Sequence, residues 1–318
     1  MARSTAALAA ALALLLAVPA LAERVPGTVF ERFVATDAGG RAITYYLSNG
    51  AAPRPLALVI QGSGCGALFR PLTSAAMSAV GYHNVFRSVG GDRYRVLAVE
   101  KPGARPVTEP PSGGQADGCP SAFLAEHTVE GWAEALHAAL ADARRRPGVV
   151  ANGTLVIGHS EGGVLAARLA RLDPGVSHVA LLASPGPDPA EELIRWNEAR
   201  GRSRAETTAS IARMRAQADS TAELFLGHPF KRWASFLAAD PVADLLSSKA
   251  RVFAAHGAAD TSWPVAAHDA LVMRLRGAGR QVAAHRLDGA DHSLLVAGQK
   301  PPEGMIAIFR RILDWVAS

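Results

Sequence analysis

Charged residues are scarce in this sequence: Asp, Glu, Lys and Arg make up 19% of the 318 residues, whereas hydrophobic residues make up 49%. A chain this apolar can bury a substantial core, which excludes intrinsic disorder. The formal net charge is +5, but the basic residues are scattered. Their one tight run, Arg144–Arg146, ends an apparent helix, where cations complement the helix dipole. We therefore expect no nucleic-acid partner.

The sequence also lacks an apolar run of the roughly 20 residues that span a bilayer. Its longest apolar stretch, Ala6–Val18, follows Arg3 and precedes an Ala-Leu-Ala cleavage motif at Ala20–Ala22. These features predict a cleavable signal peptide over residues 1–22 rather than a membrane anchor. Glu23, not a cysteine, directly follows the motif, which argues against a lipoprotein. We expect a secreted or periplasmic protein that has no membrane span after cleavage.

Cysteine is rare, with only Cys65 and Cys119 in the chain. An even count in an exported protein favours a disulfide over two free thiols. We therefore predict a Cys65–Cys119 bond.

Short β-branched runs alternate with longer amphipathic segments, which is typical of an α/β fold with a mostly parallel sheet and helices on both faces. The eight predicted strands are Val29–Ala35, Ala42–Leu47, Leu56–Gln61, Tyr94–Glu100, Thr154–Ile157, His178–Ala183, Arg251–Ala255 and Val282–Leu287. The predicted helices are Leu68–Val80, Ala122–Arg146, Glu161–Leu172, Val265–Arg276 and Glu303–Val316. No helix separates the first two strands, so the turn at Asp37–Gly40 predicts an antiparallel hairpin at the sheet edge.

Pro185–Asp240 interrupts the alternation with helical segments and no convincing strand. Its aromatic residues, including Trp196, Phe225, Phe230 and Trp233, suit a helical cap over the carboxyl edge of the sheet. The alternative is that the insertion only covers the flank of the sheet. We expect one domain over residues 23–318 that carries this insertion at about residues 185–240.

The most specific motif is Gly-His-Ser-Glu-Gly at Gly158–Gly162, between the predicted strand Thr154–Ile157 and the predicted helix Glu161–Leu172. A strand that turns directly into a helix exposes the residue at the bend in strained geometry, and the flanking glycines avoid collisions with neighbouring chain. The pattern predicts Ser160 as a nucleophile at a helix N-terminus.

A serine hydroxyl needs a base, and the base needs a carboxylate that sets its tautomer. His292 lies in a polar loop directly after the last predicted strand, and Asp260 directly follows Arg251–Ala255. The carboxyl ends of parallel strands share one edge of the sheet, so these residues can meet Ser160 there. The sequence predicts a Ser160, Asp260, His292 triad.

Other acids fit the triad less well. Asp291 is too close to His292 in sequence to orient it, and Asp269 falls within a predicted helix. Asp288 stays open as an alternative acid.

Two backbone amides would have to stabilise the oxyanion of the tetrahedral intermediate. The Glu161 amide supplies one, and the glycine-rich loop Gln61–Gly66 supplies the other, for which we choose Ser63, with Gly62 or Gly64 as alternatives. The loop lacks the spacing of a phosphate-binding loop. Nearby, Lys101 is expected to pair with Glu161, to contact an acidic substrate group, or to be an ordinary loop lysine.

The motifs at Gly158–Gly162, His256–Asp260 and Gly289–Ser293 resemble the α/β-hydrolase superfamily, in the branch that has dienelactone-hydrolase-like and prolyl-oligopeptidase-like members. The resemblance implies hydrolysis of an ester, thioester or amide through an acyl-enzyme, with no cofactor or metal. Many members have His-Gly where this chain has Gln61 and Gly62. The chemistry survives this difference because backbone amides are the donors.

The expected partner is therefore a small ester or acyl compound, attacked by Ser160 with His292 as base. An acyltransferase with the same triad would differ only in the acceptor of the acyl group. A non-catalytic binding protein on this fold is the third alternative.

Overall fold

The computed structural model describes residues 23–73, 76–79, 81–104, 116 and 118–318. The predicted signal peptide, residues 1–22, lies outside the described residues. Within the described ranges, no helix combines the length and the apolar character needed to cross a bilayer.

The strands are β1 Glu23–Arg24, β2 Phe30–Thr36, β3 Ala42–Ser48, β4 Arg54–Ile60, β5 Phe69–Thr73, β6 Ala76–Ala79, β7 Arg95–Val99, β8 Val149–His159, β9 Val176–Leu182, β10 Leu224–Phe225, β11 His228–Pro229, β12 Arg251–Gly257 and β13 Val282–Leu287. The helices are α1 Tyr82–Gly90, α2 Ser121–Glu126, α3 Val129–Ala143, α4 Glu161–Leu172, α5 Pro189–Glu198, α6 Arg204–Ala216, α7 Phe230–Leu237, α8 Pro241–Leu246, α9 Val265–Gly277 and α10 Glu303–Ala317.

The main sheet has nine strands among the described residues, in the order β1-β2-β3-β7-β4-β8-β9-β12-β13. β7, β4, β8, β9, β12 and β13 run parallel, and β1, β2 and β3 extend the sheet antiparallel. The predicted hairpin of β2 and β3 is confirmed, with Phe30 opposite Ser48 and Thr36 opposite Ala42. All eight predicted strands are present. The ninth, β1, has only two residues, too few for a periodic pattern to reveal it.

Helices cover both faces of the sheet, as predicted. One buried layer contains side chains of α3, α4, α8 and α9, and the other contains side chains of α1 and α10. Parallel strands covered on both faces are apolar almost throughout, and β4 and β7 are buried along nearly their whole length. Because the strands from β7 to β13 in the sheet order run parallel, their carboxyl ends lie at one edge of the sheet.

The predicted helix Leu68–Val80 is wrong, because the described part of this segment forms the β5–β6 hairpin. The alanine-rich composition favours a helix, but Pro71 removes a helical hydrogen-bond donor and clashes with the preceding turn. Phe69 is instead buried against Tyr46, with ring centroids 4.3 Å apart.

The predicted helix Ala122–Arg146 is two helices, α2 and α3. Thr128 separates them, because its side chain accepts a hydrogen bond from the Gly131 amide (3.0 Å) and so caps α3. The break places His127 in the interior, next to the first residue of α4.

The insertion Pro185–Asp240 forms α5, α6, the β10–β11 hairpin and α7, and it has its own apolar core. The buried residues of that core are Leu193, Ile194, Ile211, Met214, Phe230, Trp233 and Leu237. Because the insertion has its own apolar core, its helices pack on one another rather than forming an extended linker.

Candidate active site

Ser160 lies at the sharp turn between β8 and α4, with φ 54° and ψ −125°. Such a conformation is strained for a residue with a side chain. A Cβ on Gly158 would lie 2.1 Å from the Gly162 carbonyl oxygen, and one on Gly162 would lie 2.5 Å from that of Ile60. Only glycine fits at both positions, so the motif follows from the tightness of the turn.

Asp260 and His292 meet at the carboxyl ends of β12 and β13. His292 Nδ1 donates a hydrogen bond to Asp260 Oδ2 (2.7 Å). The other carboxylate oxygen accepts hydrogen bonds from the amides of Ser262 (2.8 Å) and Trp263 (2.9 Å). Burial alone would raise the pKa of Asp260, but hydrogen bonds from His256 and His292 hold that pKa below its ordinary value. Asp260 is therefore a fixed carboxylate that holds His292 in one tautomer.

His256 is a partner of Asp260 that sequence reasoning did not assign. Its Nε2 lies 3.1 Å from Asp260 Oδ2 and 3.0 Å from the Trp263 carbonyl oxygen. Both neighbours are acceptors, so Nε2 carries the proton. The signal was a histidine four residues before the acid, at the end of a strand.

His159 is a second unassigned histidine, and it orients the loop that carries His292. Its Nε2 donates to the His292 carbonyl oxygen (2.9 Å), and the two rings lie 4.9 Å apart. Burial lowers the pKa of His159 to about 4, so the ring is neutral near pH 7. His159, the second residue of the Gly158–Gly162 motif, thus fixes the backbone of His292, the proposed base.

The loop Gln61–Gly66 follows β4 and lies against Ser160. A Cβ on Gly62 would lie 3.1 Å from the Ser160 Cβ, so glycine permits this close approach. Ser63 lies in the wall of the same cavity as Ser160. Within the part of the chain that the structure describes, the Ser63 amide donates no hydrogen bond to protein.

Lys101 does not pair with Glu161. Its Nζ donates to the carbonyl oxygens of Gly62 and Gly64, and it lies 4.7 Å from the Trp132 ring centroid. The side chain is buried, and burial, with the nearby Arg232, lowers the pKa of Lys101 to about 7.

Glu161 pairs with Arg232 of α7 instead, and its carboxylate also lies 3.2 Å from His127 Nε2. All three side chains are buried. Burial lowers the pKa of Arg232 to about 9 and places the pKa of His127 well below its ordinary value. The ion pair joins the insertion to the first residue of α4, whose amide is the predicted oxyanion donor.

A cavity of about 610 Å³ lies between the insertion and the sheet edge. Its lining includes Ser63, Ser160, Glu161 and His292 from the sheet edge, and Leu193, Trp196, Leu226, Trp233, Phe236 and Leu237 from the insertion. Trp196 and Trp233 are therefore in the wall, as expected of a cap. Phe225 and Phe230 are not; both pack inside the insertion. Trp263, which sequence reasoning missed, also lines the cavity.

Cys65 and Cys119 form a disulfide that joins the loop Gln61–Gly66 to the segment before α2. The two cysteines are 54 residues apart in the sequence. Among the described residues, no group of three or more His, Cys, Asp or Glu side chains is placed to hold a metal ion.

The disulfide gives a direct chemical expectation. Alkylation of the denatured, unreduced protein should label no thiol, and mass spectrometry after proteolysis should find a linked Cys65–Cys119 peptide pair. In the loop-entropy model, a bond of this span stabilises the protein by roughly 4 kcal/mol. Labelling of both cysteines without reductant would contradict the pairing.

No family model and no curated protein sequence matches the chain. Solved structures do match it. A Klebsiella pneumoniae protein assigned as a dienelactone hydrolase is 17% identical, covers 89% of this chain and 97% of its own, and has a TM-score of 0.55. Est1E from Butyrivibrio proteoclasticus is 13% identical, with 90% and 99% covered and a TM-score of 0.55.

The acylaminoacyl peptidase of Pyrococcus horikoshii is 12% identical, with 91% of this chain covered and a TM-score of 0.61. This chain spans only 41% of that peptidase. The shared architecture shows that the chain has the α/β-hydrolase fold.

Proposed function

We propose that this protein is a serine hydrolase that cleaves a carboxylic ester, thioester or amide through an acyl-enzyme. The observation that carries the proposal is the His292–Asp260 hydrogen bond of 2.7 Å, with His292 and the strained Ser160 in the wall of one cavity. On this fold, that combination of residues is suited to acyl transfer.

In the proposed mechanism, Nδ1 of His292 donates to Asp260, so Nε2 is the basic nitrogen. It takes the Ser160 proton as the serine oxygen attacks the carbonyl carbon. The amides of Ser63 and Glu161 stabilise the oxyanion. His292 then protonates the leaving group, and water, activated by the same ring, releases the acid and regenerates Ser160.

A fluorophosphonate probe tests the nucleophile. We expect one labelled peptide, containing Ser160, and no labelling of Ser160→Ala. Labelling of a residue other than Ser160 would refute the proposed nucleophile, and no labelling would favour a binding protein. A panel of esters, thioesters and amides, with and without an added alcohol, then identifies the bond cleaved and distinguishes water from an alcohol as the acyl acceptor.

The four aromatic residues of the insertion lie in two different environments, and we expect them to affect substrate preference differently. Trp196 and Trp233 line the cavity, whereas Phe225 and Phe230 pack inside the insertion and serve as matched controls. An apolar pocket discriminates by about 1–3 kcal/mol per methylene. In a chain-length series of p-nitrophenyl esters, Trp196→Ala and Trp233→Ala should shift the preferred acyl length. Phe225→Ala and Phe230→Ala should lower the melting temperature and keep the wild-type preference. Identical profiles in all four variants would show that the insertion does not select the acyl group.

We further propose that the protein is exported and cleaved after Ala22. The mature chain should begin with Glu23-Arg24. Mass spectrometry of the protein recovered from the periplasm or the medium measures this terminus, and an intact Met1 terminus in the cytoplasm would refute the proposal.

A further inference from the structure

Lys101 follows β7, at the same edge of the sheet as Ser160, and the reaction scheme does not use it. The side chain is fully enclosed and carries no hydrogen bond to a carboxylate among the described residues. Burying an ammonium group without a paired anion costs several kcal/mol unless other groups compensate. Here two carbonyl oxygens and the face of Trp132, at 4.7 Å, surround the charge. The free-energy cost of burying this side chain indicates that Lys101 has a specific role.

The two carbonyls belong to Gly62 and Gly64, which flank Ser63 in the loop Gln61–Gly66. In a trans peptide unit, the carbonyl of one residue and the amide N–H of the next point in opposite directions. When Lys101 binds the Gly62 carbonyl, the Ser63 N–H must therefore point away from Lys101. Ser63 lies in the wall of the cavity that contains Ser160, and its amide donates no hydrogen bond to protein in the part of the chain described.

The loop needs such an anchor because its backbone is otherwise permissive. Gly62 and Gly64 flank the donor, and Gly64 has φ +84°, a conformation that glycine adopts freely. A glycine-rich segment can rotate a peptide unit at little cost, which would turn the N–H away from the reacting carbonyl. Other contacts hold other parts of the loop: Gln61 Nε2 donates to the Gly66 carbonyl (3.2 Å), the disulfide holds Cys65, and Glu100 accepts from the Leu68 amide just after the loop (3.4 Å). Of the contacts named here, the Lys101 contact alone acts on the peptide unit that presents the Ser63 amide.

We propose that Lys101 is a positioning residue for the oxyanion hole. Its Nζ donates hydrogen bonds to the Gly62 and Gly64 carbonyl oxygens. These bonds hold the Ser63 amide N–H toward the oxygen of the tetrahedral intermediate. This proposal rests on the serine hydrolase function proposed above. It differs from a pairing with Glu161 and from a contact with the substrate, because the ammonium group acts on the backbone behind the cavity.

The test compares Lys101→Met, which keeps the approximate length but removes the donors, with Lys249→Met, which removes an exposed lysine away from the cavity. Active sites are counted by exhaustive fluorophosphonate labelling, so that any unfolded fraction does not enter the rates. Loss of one oxyanion donor costs about 10²–10³ in kcat. We expect Lys101→Met to lower kcat per labelled site about 10²-fold while KM stays near the wild-type value, because the amide acts on the transition state rather than on the bound substrate.

A second readout separates positioning from stability. A boronic acid forms a tetrahedral adduct with the serine and uses the oxyanion hole, whereas the carboxylic acid product is planar. In Lys101→Met, the boronic acid should bind about 10²-fold more weakly, and the product acid should bind as in the wild type. A purely structural role would lower the melting temperature and leave both the kcat per site and the boronic acid affinity unchanged. That result would overturn the proposal.

Lys101→Gln decides the question if Lys101→Met does not fold, since its amide nitrogen ends one bond short of the Nζ position and carries no charge, so that it cannot reach both carbonyl oxygens as Lys101 does. We expect a smaller loss of kcat, about tenfold. Wild-type kcat and boronic acid affinity in this variant would again overturn the proposal. If wild-type protein and Ser160→Ala are equally unreactive toward the probe, the hydrolase function itself is refuted; if the wild type reacts normally and Lys101 variants are unimpaired, only the positioning role is refuted.

Discussion

Ser160→Ala and His292→Ala are each expected to lower turnover of the best ester substrate by about 10⁶-fold while the fold stays intact. The reason is that nucleophile and base act as one unit, so the loss of either removes the acylation step. The double variant should therefore be little worse than either single one. Steady-state kinetics on purified proteins of equal melting temperature measure this, and Ser210→Ala, which removes an exposed hydroxyl from α6, is the control.

Asp260→Asn should retain some activity, with a loss of about 10⁴-fold. The amide would keep the shape of the side chain but would no longer hold His292 in the productive tautomer. His256 adds to the expected effect, because its Nε2 also approaches this carboxylate, at 3.1 Å. Near-normal turnover by Ser160→Ala would refute the proposed nucleophile, and near-normal turnover by Asp260→Asn would refute the proposed acid.

Arg232→Met is expected to lower the free energy of unfolding by about 3–5 kcal/mol, the range observed when one member of a buried ion pair is removed. The variant leaves the buried Glu161 carboxylate next to His127 alone. His127 offers no compensating charge, since burial first, and then the nearby Lys101 and Arg232, place its pKa well below the ordinary value.

Urea unfolding of Arg232→Met, Glu161→Gln and the double variant forms a cycle that measures the coupling. The double variant should be more stable than Arg232→Met, because no charge is then left unpaired. Arg213→Met is the matched control: this arginine of α6 lies 3.4 Å from Glu223, both side chains are exposed, and such a pair contributes about 0–1 kcal/mol. Equal effects of Arg232→Met and Arg213→Met on the free energy of unfolding would show that the buried pair does not stabilise the protein more than an exposed pair does.

The sequence predicted the elements whose signal is local. β4 and β7 are apolar runs that the parallel sheet buries on both faces, and α4 was predicted with the bounds it has, Glu161–Leu172. The predicted helix over Leu68–Val80 is wrong because Pro71, itself a local signal, opposes the helix that the alanine-rich composition favours. The helix break at Thr128 was missed because a single capping side chain decides it.

The sequence by itself also determined which residues could carry the proposed chemistry: the glycine spacing around Ser160 and the positions of Asp260 and His292 after parallel strands follow from strand-to-turn geometry. Only the tertiary structure decided what supports them. Lys101 contacts a loop about 40 residues away in sequence rather than Glu161, and Glu161 pairs with Arg232 from the insertion. Likewise, only packing distinguishes Trp196 in the cavity wall from Phe230 in the core of the insertion. The physical reason is that periodicity reports which residues are buried, whereas the partner of a buried side chain depends on contacts between segments that are distant along the chain.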